Sequence, residues 1–196
     1  MLPGLQHAPV PADITSFPLR RATDGAHSSF LETDVGTAAL VLAQHVRSAS
    51  KDTAALAKTA ATLLRDAVQA AVDEPCDHDD GCEVLYGRAG LLYALLFLRV
   101  RLREASTVHF DELQNSNEVL QSVSKLTADD NLRELVDDIV TRGEVGAKAY
   151  AEEFQERQRV PSLMWRWHGK RYLGGAHGVG EYAHASRVQV SDLSPA

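Results

Sequence analysis

The sequence predicts an all-α fold, on three observations. Apolar residues recur at spacings of three and four, helix-length stretches follow one another across short connections, and no run alternates apolar with polar residues as a strand would. Leu56, Ala60, Leu63, Leu64, Ala67, Val68 and Ala71 carry the clearest period. With 196 residues, 44% hydrophobic and 24% charged, the chain has the size and composition of one globular domain rather than a disordered polymer.

Residues 1–36 contain Pro3, Pro9, Pro11 and Pro18 and no helical period, which reads as an extended or loosely packed N-terminal arm. From Thr37 the pattern changes, and Ala38, Leu40, Val41, Leu42 and Val46 suggest a first helix. The second is the periodic stretch that includes Leu56 and Ala71, with Ser50 or Asp52 as its cap. An acidic, proline-containing loop over residues 73–83 leads to a third helix at about residues 88–103. Leu91, Leu92, Ala94, Leu95, Leu96, Phe97 and Leu98 leave that helix little polar face, so neighbouring helices should surround it. Leu132, Leu135, Val136, Ile139 and Val140 mark an amphipathic helix, and Thr127 and Asp130 have capping-box spacing. Gly143 and Gly146 are expected to interrupt it before a further helical stretch from Ala147 to about Arg157. Gly-x-x-Gly occurs twice at expected helix starts, as Gly87-Arg88-Ala89-Gly90 and Gly175-Ala176-His177-Gly178, where paired glycines permit close approach.

The richest chemistry lies in residues 161–180, which hold both tryptophans, Trp165 and Trp167, suited to a semi-buried platform. His177 sits among Gly174, Gly175, Gly178 and Gly180, and its imidazole can take or release a proton near neutral pH. Net charge of -7 argues against a nucleic-acid reader, which needs a basic stripe to neutralise phosphates. Residues 91–98 form the longest apolar run, far short of the roughly 20 residues a membrane span needs. No signal segment opens the chain, and two cysteines, Cys76 and Cys82, suit reduced thiols better than a disulfide scaffold. The expected compartment is the cytoplasm, with the plasma-membrane periphery as an alternative.

Two blocks carry a resemblance: Cys82-Glu-Val-Leu-Tyr-Gly-Arg-Ala-Gly-Leu-Leu-Tyr-Ala-Leu-Leu-Phe-Leu98 and Met164-Trp-Arg-Trp-His-Gly-Lys-Arg-Tyr-Leu-Gly-Gly-Ala-His-Gly178. They resemble eukaryotic lanthionine synthetase C-like proteins, relatives of the bacterial lantibiotic cyclases. The resemblance implies an α/α toroid, here partial: residues 1–36 an arm, 37–180 the N-terminal half of the helical barrel, and 181–196 a diverged tail. It also implies a zinc ion held by two cysteines and a histidine, which ionises a thiol, glutathione or a peptide cysteine, for addition to a dehydrated Ser or Thr. Those zinc ligands belong to the family's C-terminal half, so this chain is expected to be truncated before them, to bind no metal and to have impaired activity. An alternative is a non-catalytic scaffold that binds glutathione, a phosphorylated or dehydrated peptide, or a kinase-like partner, and a third reading is an incomplete product without a stable fold. Apolar helix faces left uncovered, those of residues 91–98 first, would favour association.

The resemblance places His177 at the family's proton-handling position, against the alternative of a histidine that only packs. It places Glu83 where the cyclases tend to have an acid facing the active site; the preferred reading remains a solvated member of the acidic loop. Arg88 could grip a carboxylate or phosphate as a planar fork, or lie on the surface. Trp165, Arg166, Trp167, Lys170 and Arg171 make a basic aromatic patch suited to anionic glutathione, with solvated surface charges as the commoner explanation. Gly87, Gly90, Gly175 and Gly178 are expected to be structural. Residues from Asp77 onward miss the EF-hand ligand spacing. Cys76, His78 and Cys82 lack a fourth zinc ligand. His177, Glu181 and His184 could share a helix face, but Gly178 and Gly180 weaken a helix there, and chance placement is the preferred reading.

Overall fold

The computed structural model describes Leu19 and residues 27–48, 51–106, 118–154 and 161–172. These contain five α helices and no strand: α1 Asp34–Ser48, α2 Ala54–Asp73, α3 Arg88–Ser106, α4 Glu118–Leu126 and α5 Asp129–Phe154. Helix α1 packs on α2 and α3, α2 and α3 each meet α4 and α5, and α4 leads directly into α5. The core they enclose is dense in leucine, with Leu42, Leu64, Leu91, Leu95, Leu98, Leu120, Leu132 and Leu135 fully buried. No helix among the described residues is long and apolar enough to cross a membrane.

Helix α1 begins three residues before Thr37, because Thr33 accepts the Val35 amide at 3.2 Å and ends the preceding turn. The residues ahead of it pack closely: Ser28 and Ser29 are buried and both donate their amides to the Tyr86 carbonyl. At α2 the expected Asp52 cap gives way to a 3-10 turn, Lys51–Thr53, that runs straight into the helix. Thr53 takes the capping position with no side-chain cap bond, and its hydroxyl meets buried His45 at 2.9 Å instead. Ser50, the other cap candidate, lies outside the described residues.

Helix α3 is not surrounded on every side. Leu91, Leu92, Ala94, Leu95, Leu98 and Leu102 are buried, while Tyr93 and Val100 are exposed and Phe97 half-buried. Phe30 covers part of that outer face, with its ring edge-on to Tyr93 at 5.2 Å and Phe97 at 5.7 Å. Within residues 91–98 only Tyr93 is exposed, and the other large exposed apolar side chains among the described residues are Leu31, Leu40, Val100, Phe154 and Tyr172.

Helix α4 is an element the sequence reading did not anticipate. Its nine residues bury Val119, Leu120, Val123 and Leu126, a helical period too short to stand out. The Thr127–Asp130 capping box does not form. The Thr127 hydroxyl donates back to Val123 at 2.9 Å, closing α4, and α5 starts at Asp129. Helix α5 then continues without a break through Gly143 and Gly146 for 26 residues. Glycine's cost to a helix, about 1 kcal/mol per residue, is outweighed here because both glycines receive another segment against the helix. A Cβ on Gly143 would sit 2.5 Å from the Trp165 ring, and one on Gly146 would sit 1.9 Å from the Met164 carbonyl oxygen.

Candidate functional site

Four stretches converge: the acidic loop after α2, the start of α3, the middle of α5 and residues 161–172. The Gly87-x-x-Gly90 motif makes the α3 junction tight. A Cβ on Gly87 would lie 2.3 Å from the Gly81 carbonyl oxygen, and one on Gly90 would lie 2.2 Å from that of Val84 and 2.5 Å from Ser29 Cβ. Neither position has room for a side chain.

Glu83 is fully buried, which overturns its reading as a solvated loop acid. Its carboxylate accepts the amides of Leu85 at 3.1 Å and Tyr86 at 2.5 Å, so it fixes the turn into α3. Arg88 is buried as well, and neither a surface position nor a ligand fork fits it. It donates to the carbonyls of Ala71 and Gly81 and pairs with Glu74 at 2.5 Å and Asp138 at 2.8 Å. Arg142, one turn beyond Asp138, donates to that same carboxylate at 3.1 Å and to the Glu74 carbonyl at 2.8 Å. Burial pulls the Arg142 pKa down, but its hydrogen bond and charge pairing with Asp138 outweigh this and raise it. Two arginines and two carboxylates thus form a chain of ion pairs, Glu74 to Arg88 to Asp138 to Arg142, and removing a central member would leave a buried charge short of a partner.

Both thiols border the network. Cys76 donates to Asp138 at 2.8 Å, and burial together with that carboxylate raises its pKa. Cys82 is fully buried, and burial pushes its pKa up to about 12, so it stays a thiol at neutral pH. His78 instead faces Glu74 at 3.5 Å and Asp77 at 3.8 Å. Cys76 and His78 thus have different partners, and among the described residues no group of three or more His, Cys, Asp or Glu side chains is placed to hold a metal ion.

The tryptophans divide in role. Trp165 is buried in the core, not a platform, and its indole donates to the Ile139 carbonyl at 2.9 Å. Trp167 is half-buried and stacks on Tyr86, with centroids 5.0 Å apart and planes within 8°. Trp167 and Lys170 exchange backbone bonds of 2.8 and 3.0 Å around a two-residue turn. Its central residues, His168 at φ 49° and Gly169 at φ 70°, have the φ signs of a type I′ turn, a conformation costly to His168. His168, Gly169 and Lys170 are exposed, and the His168 ring stands edge-on to Trp167 at 4.2 Å.

The remaining basic residues of the patch converge on Asp79, a buried acid that sequence reasoning counted only as part of the acidic loop. Arg166 donates Nε to Asp79 Oδ1 at 2.7 Å, and its amide reaches the Asp79 carbonyl at 3.0 Å. Arg171 lies over the Tyr150 ring at 5.6 Å, pairs through Nη1 with Glu153, and stands 3.8 Å from Asp79 Oδ2. Asp79 is the pin between the acidic loop and the Trp-rich segment, and no periodicity could have revealed it. His177, Glu181, His184, Gly175 and Gly178 lie outside the described residues.

Two-residue-turn presentation of an aromatic, an imidazole and an ammonium can hold a ligand, while the buried acids, arginines and thiols hold the fold. The helices are consistent with a portion of an α/α toroid. The model of the family described as lanthionine synthetase C-like protein matches residues 15–187. On that match, which spans most of its length, the chain belongs to the lanthionine synthetase C-like protein family.

Proposed function

We propose that this chain binds glutathione or a peptide at the turn formed by residues 167–170, as a non-catalytic helical scaffold within its family. The observation that carries this reading is a division of labour. Arg88 and Glu83 are used up inside the fold, whereas Trp167, braced by Tyr86, holds His168 and Lys170 out to solvent. An indole face and an ammonium together suit an anionic tripeptide: the ring supplies apolar contact and the ammonium a carboxylate partner.

Zinc, when bound in this family, ionises the attacking thiol. The described thiols do not fit that role, because Cys82 is buried and strongly protonated and Cys76 is bonded to Asp138. Calorimetric titration of the protein with glutathione tests the proposal. Binding that weakens about threefold to tenfold in Trp167→Ala, and about twofold to fivefold in Lys170→Ala, is expected from contacts of roughly 0.5–1.4 kcal/mol. Absence of binding at millimolar glutathione would refute it.

A second reading, thiol addition to dehydrated Ser or Thr, is favoured by the family match and by His177 in Gly175-Ala-His-Gly178. There the thiol sulfur bonds to Cβ, the Cα–Cβ double bond becomes single, and Cα takes a proton. Chelator-sensitive turnover of a dehydroalanine peptide with glutathione would establish it over the scaffold reading.

A further inference from the structure

Resting on the proposal that the 167–170 turn binds glutathione or a peptide, we infer that Tyr86 is the positioning residue of that surface, and that the segment carrying Ser28 and Ser29 controls binding there by docking on Tyr86.

Tyr86 stands between the two. On one side its half-buried ring backs Trp167, with centroids 5.0 Å apart and planes within 8°. On the other its carbonyl accepts the amides of Ser28 at 2.7 Å and Ser29 at 3.0 Å, and the Ser29 hydroxyl donates to the neighbouring Leu85 carbonyl. The Glu83 carboxylate accepts the Tyr86 amide at 2.5 Å, so both backbone groups of Tyr86 are tied. Both serines are fully buried, which shields these bonds from competing water. The seat suits a small residue: a Cβ on Gly90 would lie 2.5 Å from Ser29 Cβ, and a large side chain at position 29 has no space on that side.

The contact joins Ser29 to Leu85, 56 residues away, and lies outside every helix. A junction of that kind can open while the helices stay packed. Trp167 belongs to an exposed turn, and the Tyr86 ring gives its indole a fixed plane. A ligand that uses the indole then meets a face already oriented, and little ordering is left for binding to supply. With the serines lifted, the Tyr86 carbonyl is released, its peptide plane can turn and the stack loosens. Affinity then falls with the fraction of molecules whose segment is docked. By linkage, a ligand on Trp167 must hold the serines down by the same factor.

The test uses the full chain in a Trp165→Phe background, so that the indole Nε1–H resonance reports Trp167 alone. Ser29→Leu is expected to shift that resonance and to weaken glutathione about threefold to tenfold by calorimetry, the range a lost aromatic stack supplies. Tyr86→Leu should weaken it equally, while Tyr86→Phe, which keeps the ring, stays within about twofold. Because the two positions act through one contact, adding Ser29→Leu to Tyr86→Leu should cost less than about twofold more. Saturating glutathione should slow hydrogen exchange at the Ser28 and Ser29 amides by the factor that Ser29→Leu loses. Should Ser29→Leu fail to fold, Ser29→Ala removes the hydroxyl bond to Leu85 alone and must shift the same resonance. A Trp167 resonance unmoved in the folded serine variant overturns the inference. So does glutathione affinity unchanged in Tyr86→Leu but weakened in Trp167→Ala, which leaves the turn-centred reading standing. If the unsubstituted chain binds no glutathione, the turn-centred reading falls, and the resonance in ligand-free protein still decides whether Ser29 acts on Trp167.

Discussion

Substituting Gly146 with alanine separates two opposed expectations. Helix propensity alone says that alanine inside α5 stabilises by about 1 kcal/mol. The packing says the reverse. The new Cβ would lie 1.9 Å from the Met164 carbonyl oxygen and 2.8 Å from Asp79 Cβ and Oδ2, where real contacts stay above 3.0 Å. Met164 must therefore retreat by more than 1 Å, yet it is pinned by its amide bond to Gly143 at 2.9 Å. The neighbouring Trp165 bond to Ile139, also 2.9 Å, and the Arg166 bond to Asp79, 3.0 Å, pin the rest of the segment. Losing one or two of these costs about 1 kcal/mol each, and the overpacking strain adds about 1–3 kcal/mol. After the propensity gain is subtracted, the net loss is about 1–4 kcal/mol. For a domain of this size that is a fall in Tm of roughly 2–16 °C, read by circular dichroism with Trp165 fluorescence as a local reporter. An unchanged or higher Tm for Gly146→Ala would show that residues 161–172 do not dock on α5 as described.

Three further outcomes follow from the buried groups. Burial pushes the Cys82 thiol up from 9.0 to about 12, so the folded state holds its proton more tightly than the unfolded chain; stability is full below pH 9 and falls above it, by a few kcal/mol at most as pH approaches 12. Urea titrations across that range should show Cys82→Ala losing this part of the slope. Arg88→Met removes the buried cation that Glu74 and Asp138 share, while Asp138 keeps Arg142, and should cost about 2–4 kcal/mol, measured by urea denaturation, with Arg88→Lys recovering only a minority of it. Trp165→Phe keeps the ring but loses the donor to Ile139, and a loss of about 1–2 kcal/mol with little change in glutathione affinity is expected by the same denaturation and by calorimetry.

The helices were legible wherever the period ran long. The seven apolar positions of α2 sit on its inner side, and α3 and α5 start within a few residues of where the pattern placed them. What escaped was governed by contacts distant in sequence. Gly143 and Gly146 look like breaks until Trp165 and Met164 are set against them. Arg88 and Glu83 look like surface groups because their partners, Glu74, Asp138 and the turn's own amides, are invisible to periodicity. Asp138 and Arg142, four apart, have the spacing of an ordinary exposed helix pair, and nothing local shows that both are buried. The Trp-rich segment was recognisable from composition, yet only the fold separates Trp165, a core residue, from Trp167, which meets solvent.

The Arg88, Glu74, Asp138 and Arg142 network also sets where the polypeptide can be divided. Its members come from the end of α2, the first residue of α3 and the centre of α5, up to 68 residues apart in the contact between Arg142 and the Glu74 carbonyl. Any fragment ending before α5 would bury Arg88 against half its counter-charges, and any fragment beginning after α3 would leave Asp138 and Arg142 facing each other with their outer partners gone. Dissection, circular permutation or split-reporter fusion should therefore keep residues 74–142 on one folded body and place new ends outside that span.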